Sequence, residues 1–307
     1  MGKVKIIEVG PRDGLQNIHT FVPADKKILF IKKLVACGIQ EIQIGSFVAP
    51  HAIPQFRNIK DVAQGLKSLK RVVLSALIPN ERGALEANSC GVKKLIFFFS
   101  VSREHNCRNV GQTPQQSLKE LQRICCAYMP DPSITLRVDL ATAFGCPFSG
   151  KISTAAILRI VEKVAACGIQ EITLCDTVGF GNPRMVEEKF SACLRLFPGI
   201  NFGAHFHNTR GLALANTLRA YQTGIRSFDA AAGGLGGCPY APGSSGNVAT
   251  EEMVFMFEEM AINTGIDLKK LLDVCLFLHK TLPRAKLASS LYVAGLPNIL
   301  NKGEISC

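Results

Sequence analysis

Eight short runs of β-branched and apolar residues recur along the chain, at about 4–10, 41–47, 71–78, 93–100, 133–141, 171–179, 201–207 and 227–235. Between them lie stretches in which Leu, Ile and Val return every three or four positions, as at 24–37, 114–127, 153–167 and 184–196. The first pattern is that of a strand and the second that of a helix, so the two alternate throughout. Lys94-Leu-Ile-Phe-Phe-Phe-Ser100 has almost no polar interruption. A strand of that kind is covered on both faces, as in a parallel sheet whose crossovers are helices.

An internal repeat sets the number of units. Lys33-Leu-Val-Ala-Cys-Gly-Ile-Gln-Glu-Ile42 returns 130 residues later as Lys163-Val-Ala-Ala-Cys-Gly-Ile-Gln-Glu-Ile172. Each copy reads as a helix end, a closing glycine (Gly38, Gly168) and the next strand. Four βα units of about 32 residues fill the offset, so unit one matches unit five of an eightfold array. The predicted fold class is α/β: a (βα)8 TIM barrel over about 1–265, with a C-terminal helical extension and tail over about 266–307. No linker or low-complexity segment divides the chain, so 1–307 reads as a single catalytic domain.

Composition narrows the partners. The 307 residues are 47% apolar and 19% charged, and no unbroken apolar stretch reaches 18, which excludes a membrane-spanning helix and wholesale disorder. Lys and Arg (35) outnumber Asp and Glu (24), giving a net charge of +11, which raises polyanionic partners. No Lys/Arg run reaches five, Trp is absent and Tyr occurs four times, so nucleic acid is disfavoured. Twelve cysteines without a CxxC, in a chain too long for a disulfide scaffold, read as reduced thiols and a cytoplasmic location. Met-Gly-Lys-Val-Lys-Ile-Ile-Glu-Val enters strand-like sequence at once, which leaves no room for a targeting peptide.

Barrel active sites sit at the carboxyl ends of the strands. The first run ends Gly10-Pro-Arg-Asp-Gly-Leu-Gln-Asn17, placing Arg12 and Asp13 at the mouth. The seventh ends His205-Phe-His207, and residues two apart on a strand face the same side. A carboxylate with two imidazoles suits a divalent cation such as Mg²⁺ or Mn²⁺, while histidine also admits Zn²⁺ or Co²⁺. After the eighth run comes Gly233–Asn247, a segment with six glycines, one cysteine and no charge. It can close as a lid carrying Cys238 over a substrate, or serve as a tight turn or phosphate cradle.

Gly10–Asn17, Ser46-Phe-Val-Ala-Pro50, Asp176-Thr177, His205-x-His207, Gly234-Leu-Gly-Gly-Cys-Pro-Tyr240 and Ser245-Gly-Asn247 together resemble the 3-hydroxy-3-methylglutaryl-CoA lyase family over essentially the whole chain. The glycine-cysteine loop is the most specific of these. The Arg-Asp-Gly and His-x-His elements are shared with related barrel metalloenzymes such as isopropylmalate, homocitrate and citramalate synthases. The resemblance implies a divalent metal held by Asp13, His205, His207 and Asn247, and cleavage of an acyl-CoA to acetyl-CoA and acetoacetate. It implies Arg12 as cationic partner of the thioester oxygen, His205 with Asp13 as proton carrier and Cys238 as lid acid or solvent-side proton relay. Gln16, Gln43 and Asp176 are expected around the substrate. The expected partners are an acyl-CoA and a second copy of the chain in a homodimer, with no nucleic acid and no membrane.

The chain departs from this family at three places. The family's second strand carries a glutamate three residues before Ser-Phe-Val, where this chain has Gln43. Asn208 and Arg210 replace an Asp and an aromatic residue after the histidine pair, and Ser102–Asn109 keeps only its terminal Ser and Asn. Three readings follow: the standard lyase, a related acyl-CoA lyase or condensing enzyme with a different acyl group, and a barrel that binds metal or CoA with little turnover.

Overall fold

In the computed structural model, which describes residues 2–237 and 246–296, eight parallel strands close into a barrel in sequence order. They are β1 (Lys5–Glu8), β2 (Glu41–Ser46), β3 (Val73–Ile78), β4 (Lys94–Ser100), β5 (Thr135–Ala141), β6 (Glu171–Asp176), β7 (Asn201–Phe206) and β8 (Ser227–Ala230). The seam is closed by β8 on β1, with Lys5 opposite Ser227 and Glu8 opposite Ala230.

The outer layer comprises α1 (Ala24–Ala36), α2 (Ile59–Gly65), α3 (Glu81–Ser89), α4 (Arg103–Val110), α5 (Pro114–Tyr128), α6 (Thr154–Ala165), α7 (Pro183–Leu196), α8 (Ala213–Thr223) and α9 (Thr250–Glu259). Beyond the barrel follow α10 (Leu268–Thr281) and α11 (Ser290–Ala294). The sequence specifies many of the helix starts: side chains of Asn80, Ser102, Ser153, Asn182 and Asp267 accept first-turn backbone N–H groups, and Thr113 with Gln116 forms a capping box. The two repeat glycines end their helices as expected, with φ of +98° at Gly38 and +85° at Gly168. A Cβ at Gly38 would also lie 2.4 Å from the Gly265 carbonyl oxygen.

Strand alternation divides the residues into two environments. Ile42, Ile44, Leu95, Phe97, Phe99, Val138 and Leu140 face outward and form the apolar core with the helices. The intervening positions face the barrel axis, and many are polar. At the floor, buried Lys94 lies between Glu41 (3.1 Å) and Glu171, while Lys5 reaches Glu41 from outside at 2.5 Å. Above it, Arg137 of β5 pairs with Asp139 and with Asp229 of β8. The mouth carries the candidate site.

Two of the predicted strands run on into turns that structure the mouth. β1 stops at Glu8, because Gly10–Gly14 winds into a wide helical turn in which the Asp13 N–H donates to the Val9 carbonyl at 2.7 Å. β8 stops at Ala230, and Ala232–Gly234 forms a single tight helical turn. The β6 run likewise ends early, at Asp176.

Candidate metal centre and substrate cavity

The wide turn after β1 and the end of β7 bring together residues almost 200 positions apart. Asp13 Oδ2 lies 3.2 Å from His205 Nε2 and 3.3 Å from His207 Nε2, and the three side chains offer ligand atoms that all lie within 4.8 Å of one another. All three are buried. Asp13 Oδ1 accepts from Gln16 Nε2 at 2.6 Å and lies 3.2 Å from Arg12 Nη1. Burial pushes the Asp13 carboxyl up, but Arg12 and the two imidazoles outweigh it and hold the group well below the usual carboxylate range. Burial alone would lower His205; Asp13 and Asp229 instead raise it to about 9.

Asn247 reaches the same place from the far side of the glycine segment. It forms an isolated β-bridge with His207, and its side-chain amide donates to the Leu235 carbonyl at 3.1 Å. Its Oδ1 is buried with no hydrogen-bond partner among the described residues. A buried carbonyl oxygen left unpaired is costly, and an amide oxygen is a donor chemically suited to join an Asp and two His at a divalent cation. The residues therefore fit a divalent cation.

The remaining expected residues fall into place unevenly. Arg12 lines the cavity beside the cluster, and its Nε donates to Gln43 Oε1 at 2.8 Å. The neutral amide thus keeps the orienting contact, and Glu41 serves the floor ion pairs instead. Gln16 also lines the cavity. Asp176 holds a loop: its carboxylate accepts from the Phe180 and Gly181 N–H groups at 2.8 and 2.9 Å, while its neighbours Cys175 and Thr177 face the cavity. Cys238 lies outside the described residues.

Sequence reading missed Arg137, Asp139 and Asp229. Asp229 Oδ2 lies 3.1 Å from His205 Nδ1, which fixes the ring with Nε2 toward Asp13, and Arg137 Nη1 donates to Asp229 Oδ1 at 3.0 Å. The available signal was strand parity: Arg137 and Asp139, two apart, share the inward face, as do His205 and His207. Glu8 was also missed. Its carboxylate accepts from the N–H groups of Gly10 (2.8 Å) and Ala232 (3.0 Å) and from the Thr250 hydroxyl (2.7 Å), tying the β1 turn to both flanks of the glycine segment.

A closed (βα)8 barrel gathering a carboxylate and two imidazoles at the carboxyl ends of its strands has the architecture of a metal-dependent barrel enzyme. The HMGL-like family model matches residues 3–277. Hydroxymethylglutaryl-CoA lyase of Bacillus subtilis is 43% identical over 278 residues, covering 91% of this chain and 93% of that protein. The mitochondrial hydroxymethylglutaryl-CoA lyase of Rattus norvegicus is 39% identical over 282 residues, covering 92% and 86%. The solved HMG-CoA lyase of Bacillus subtilis superposes with a TM-score of 0.92 at 41% identity, covering 96% of this chain and 98% of that one. That of Acinetobacter baumannii, in complex with coenzyme A and 3-methylmalate, gives 0.90 at 43% identity and 95% coverage of each chain. This chain belongs to the HMGL-like family.

Proposed function

We propose that the protein is a carbon–carbon lyase that cleaves 3-hydroxy-3-methylglutaryl-CoA to acetyl-CoA and acetoacetate with the help of Mg²⁺ or Mn²⁺. The observation that carries this is the Asp13–His205–His207 cluster at the mouth of a barrel whose family and near relatives carry that name. The relative holding coenzyme A supports an acyl-CoA substrate.

Asp13, His205, His207 and Asn247 would hold the cation, which when bound acidifies a coordinated hydroxyl and orients the substrate. With Nδ1 turned to Asp229, His205 has Nε2 alone to offer. That atom faces the cation position, and Asp229 fixes the tautomer. Arg12, oriented by Gln43, is placed to meet the negative charge that grows on the thioester oxygen as the C2–C3 bond breaks. Cys238 is proposed as the acid that protonates C2, a thiol being able to give up a proton in such a step.

The barrel and its C-terminal helices are proposed to act as a single catalytic domain, because the Ala288 N–H donates to the Gly233 carbonyl at the root of the glycine segment at 2.8 Å. The homodimer and the cytoplasmic location are proposed with it, and light scattering and cell fractionation test them. The primary test is turnover of 3-hydroxy-3-methylglutaryl-CoA with added metal and with chelator. Equal amounts of acetyl-CoA and acetoacetate, lost on chelation, are expected. No turnover by folded, metal-loaded protein would overturn the assignment.

A further inference from the structure

The cavity contains a second carboxylate that the ligand set does not use. Asp139 lies on β5 facing the barrel axis, is 4% exposed, and lines the cavity together with Arg12, Cys175 and His205. Arg137 Nε donates to its Oδ1 at 2.6 Å, and the other Arg137 nitrogens serve Asp229. Among the described residues no hydrogen bond engages Asp139 Oδ2. Position 43 of β2, meanwhile, lacks the glutamate expected from the family resemblance.

We propose that Asp139 is the base that takes the proton from the substrate hydroxyl, supplying from β5 the carboxylate that Gln43 does not supply from β2. This rests on the lyase reading above. The other groups around the cavity are poorly suited: His205 has Nδ1 on Asp229 and Nε2 toward Asp13 among the candidate ligands, and burial lowers the His105 imidazole to about 4. An amide at Gln43 accepts no proton at neutral pH, and Arg12 keeps its own. Asp13 is already committed, with Oδ2 between the two imidazoles and Oδ1 taken by Gln16 and Arg12. The buried Cys175 thiol is pushed far up and stays protonated. For Asp139, burial raises the carboxyl, and the opposing pull of Arg137 leaves it above the usual aspartate range. Arg12 is also close enough to act on it, as expected of two groups sharing one cavity.

The step balances without an oxidant or reductant. The hydroxyl proton passes to Asp139, and the freed oxygen pair forms the ketone of acetoacetate. The C2–C3 bonding pair passes into the thioester enolate, which takes a proton from the separate acid at C2. The proton on Asp139 then returns through solvent to re-form that acid.

The test compares wild type, Asp139→Asn and Asp139→Asn/Gln43→Glu for kcat, Mn²⁺ affinity, melting temperature and deuterium uptake from D₂O into the acetyl-CoA methyl group. Asp139→Asn is expected to lose about 100-fold or more in kcat while Mn²⁺ affinity stays within about threefold. Deuterium uptake needs only the acid–base group at C2 and should persist. Restoring a carboxylate with Gln43→Glu should recover at least about tenfold of the lost rate. A kcat within threefold of wild type, parallel loss of deuterium uptake, or no recovery in the double variant overturns the assignment. If Asp139→Asn melts markedly lower, Asp139→Glu decides the matter: it keeps the charge and the Arg137 pair and must retain more than about a tenth of wild-type kcat. A wild type that binds Mn²⁺ yet forms no acetyl-CoA overturns the lyase reading and this assignment together. An active wild type with an indifferent Asp139→Asn overturns this assignment alone.

Discussion

Asp229 shows how much of the centre depends on one side chain that the local sequence does not flag. It accepts from Arg137 and faces His205 Nδ1, so its charge serves a buried cation and sets the direction of a candidate ligand. Asp229→Asn preserves the shape and removes the charge. Losing the partner that orients a ligating histidine typically costs 10–100-fold in metal affinity, so a Mn²⁺ titration followed by electron paramagnetic resonance should show a drop of about that size. Unchanged affinity would mean that β7 backbone geometry alone sets the ring. Alanine at Asp13, His205 or His207 should weaken Mn²⁺ binding at least as much, because each removes a donor outright. The histidine pair and Arg12-Asp13 were legible in the sequence because each is a short, local pattern at a strand end. Asp229 was not, since its meaning comes from Arg137, 92 positions away, and from a barrel closure that no local window contains.

At the scale of elements, the repeat and the alternation of periods were enough to count eight strands, because each βα unit carries its own burial pattern. What they could not give was where the strands stop. The runs at 4–10 and 227–235 remain apolar beyond Glu8 and Ala230, but the chain turns there to satisfy buried polar groups: Asp13 docks against the histidines, and Ala232 donates to Glu8. The inward polar positions, which interrupt an otherwise aliphatic pattern, are the other trace the barrel leaves in the sequence. Lys94 is the clearest case, 5% exposed between Glu41 of β2 and Glu171 of β6, each two strands away around the barrel. Lys94→Met keeps the length and apolar stem but leaves Glu41 fully buried with Lys5 as its remaining cation. Breaking a buried pair in this way costs about 3–5 kcal/mol, and urea unfolding should show a loss near that range. Lys94→Met/Glu41→Leu, which removes both charges, should recover most of it. Because the floor lies at the opposite end of the barrel from the cation cluster, Mn²⁺ affinity should be unaffected in both variants.

For the whole molecule, the closure of the barrel at its mouth depends on carboxylates buried behind the glycine segment. Glu8 joins β1 to Ala232 and Thr250, Glu251 accepts from the Gly233 N–H at 3.0 Å, and the C-terminal segment docks on the same glycine through Ala288. Burial raises Glu8 from 4.5 to about 7, against the hydrogen bonds from Thr250, Ala232 and Gly10. Because the folded protein holds this proton more tightly than the unfolded chain, the contribution is full below pH 4.5 and is lost as the pH rises toward 7. The difference between those values corresponds to about 3 kcal/mol. Asp13 and Asp229, whose carboxyls are depressed, act in the opposite sense and in a separate, more acidic window. Glu8→Gln can still accept from both N–H groups and donate to the Thr250 hydroxyl, so it should fold and lose only the titration. Unfolding free energies measured at intervals from pH 4 to 8 should therefore converge or cross, with wild type losing about 3 kcal/mol relative to the variant over that interval. Parallel curves would mean that Glu8 stays ionised in the folded protein, and that the three hydrogen bonds it accepts at the seam outweigh its burial.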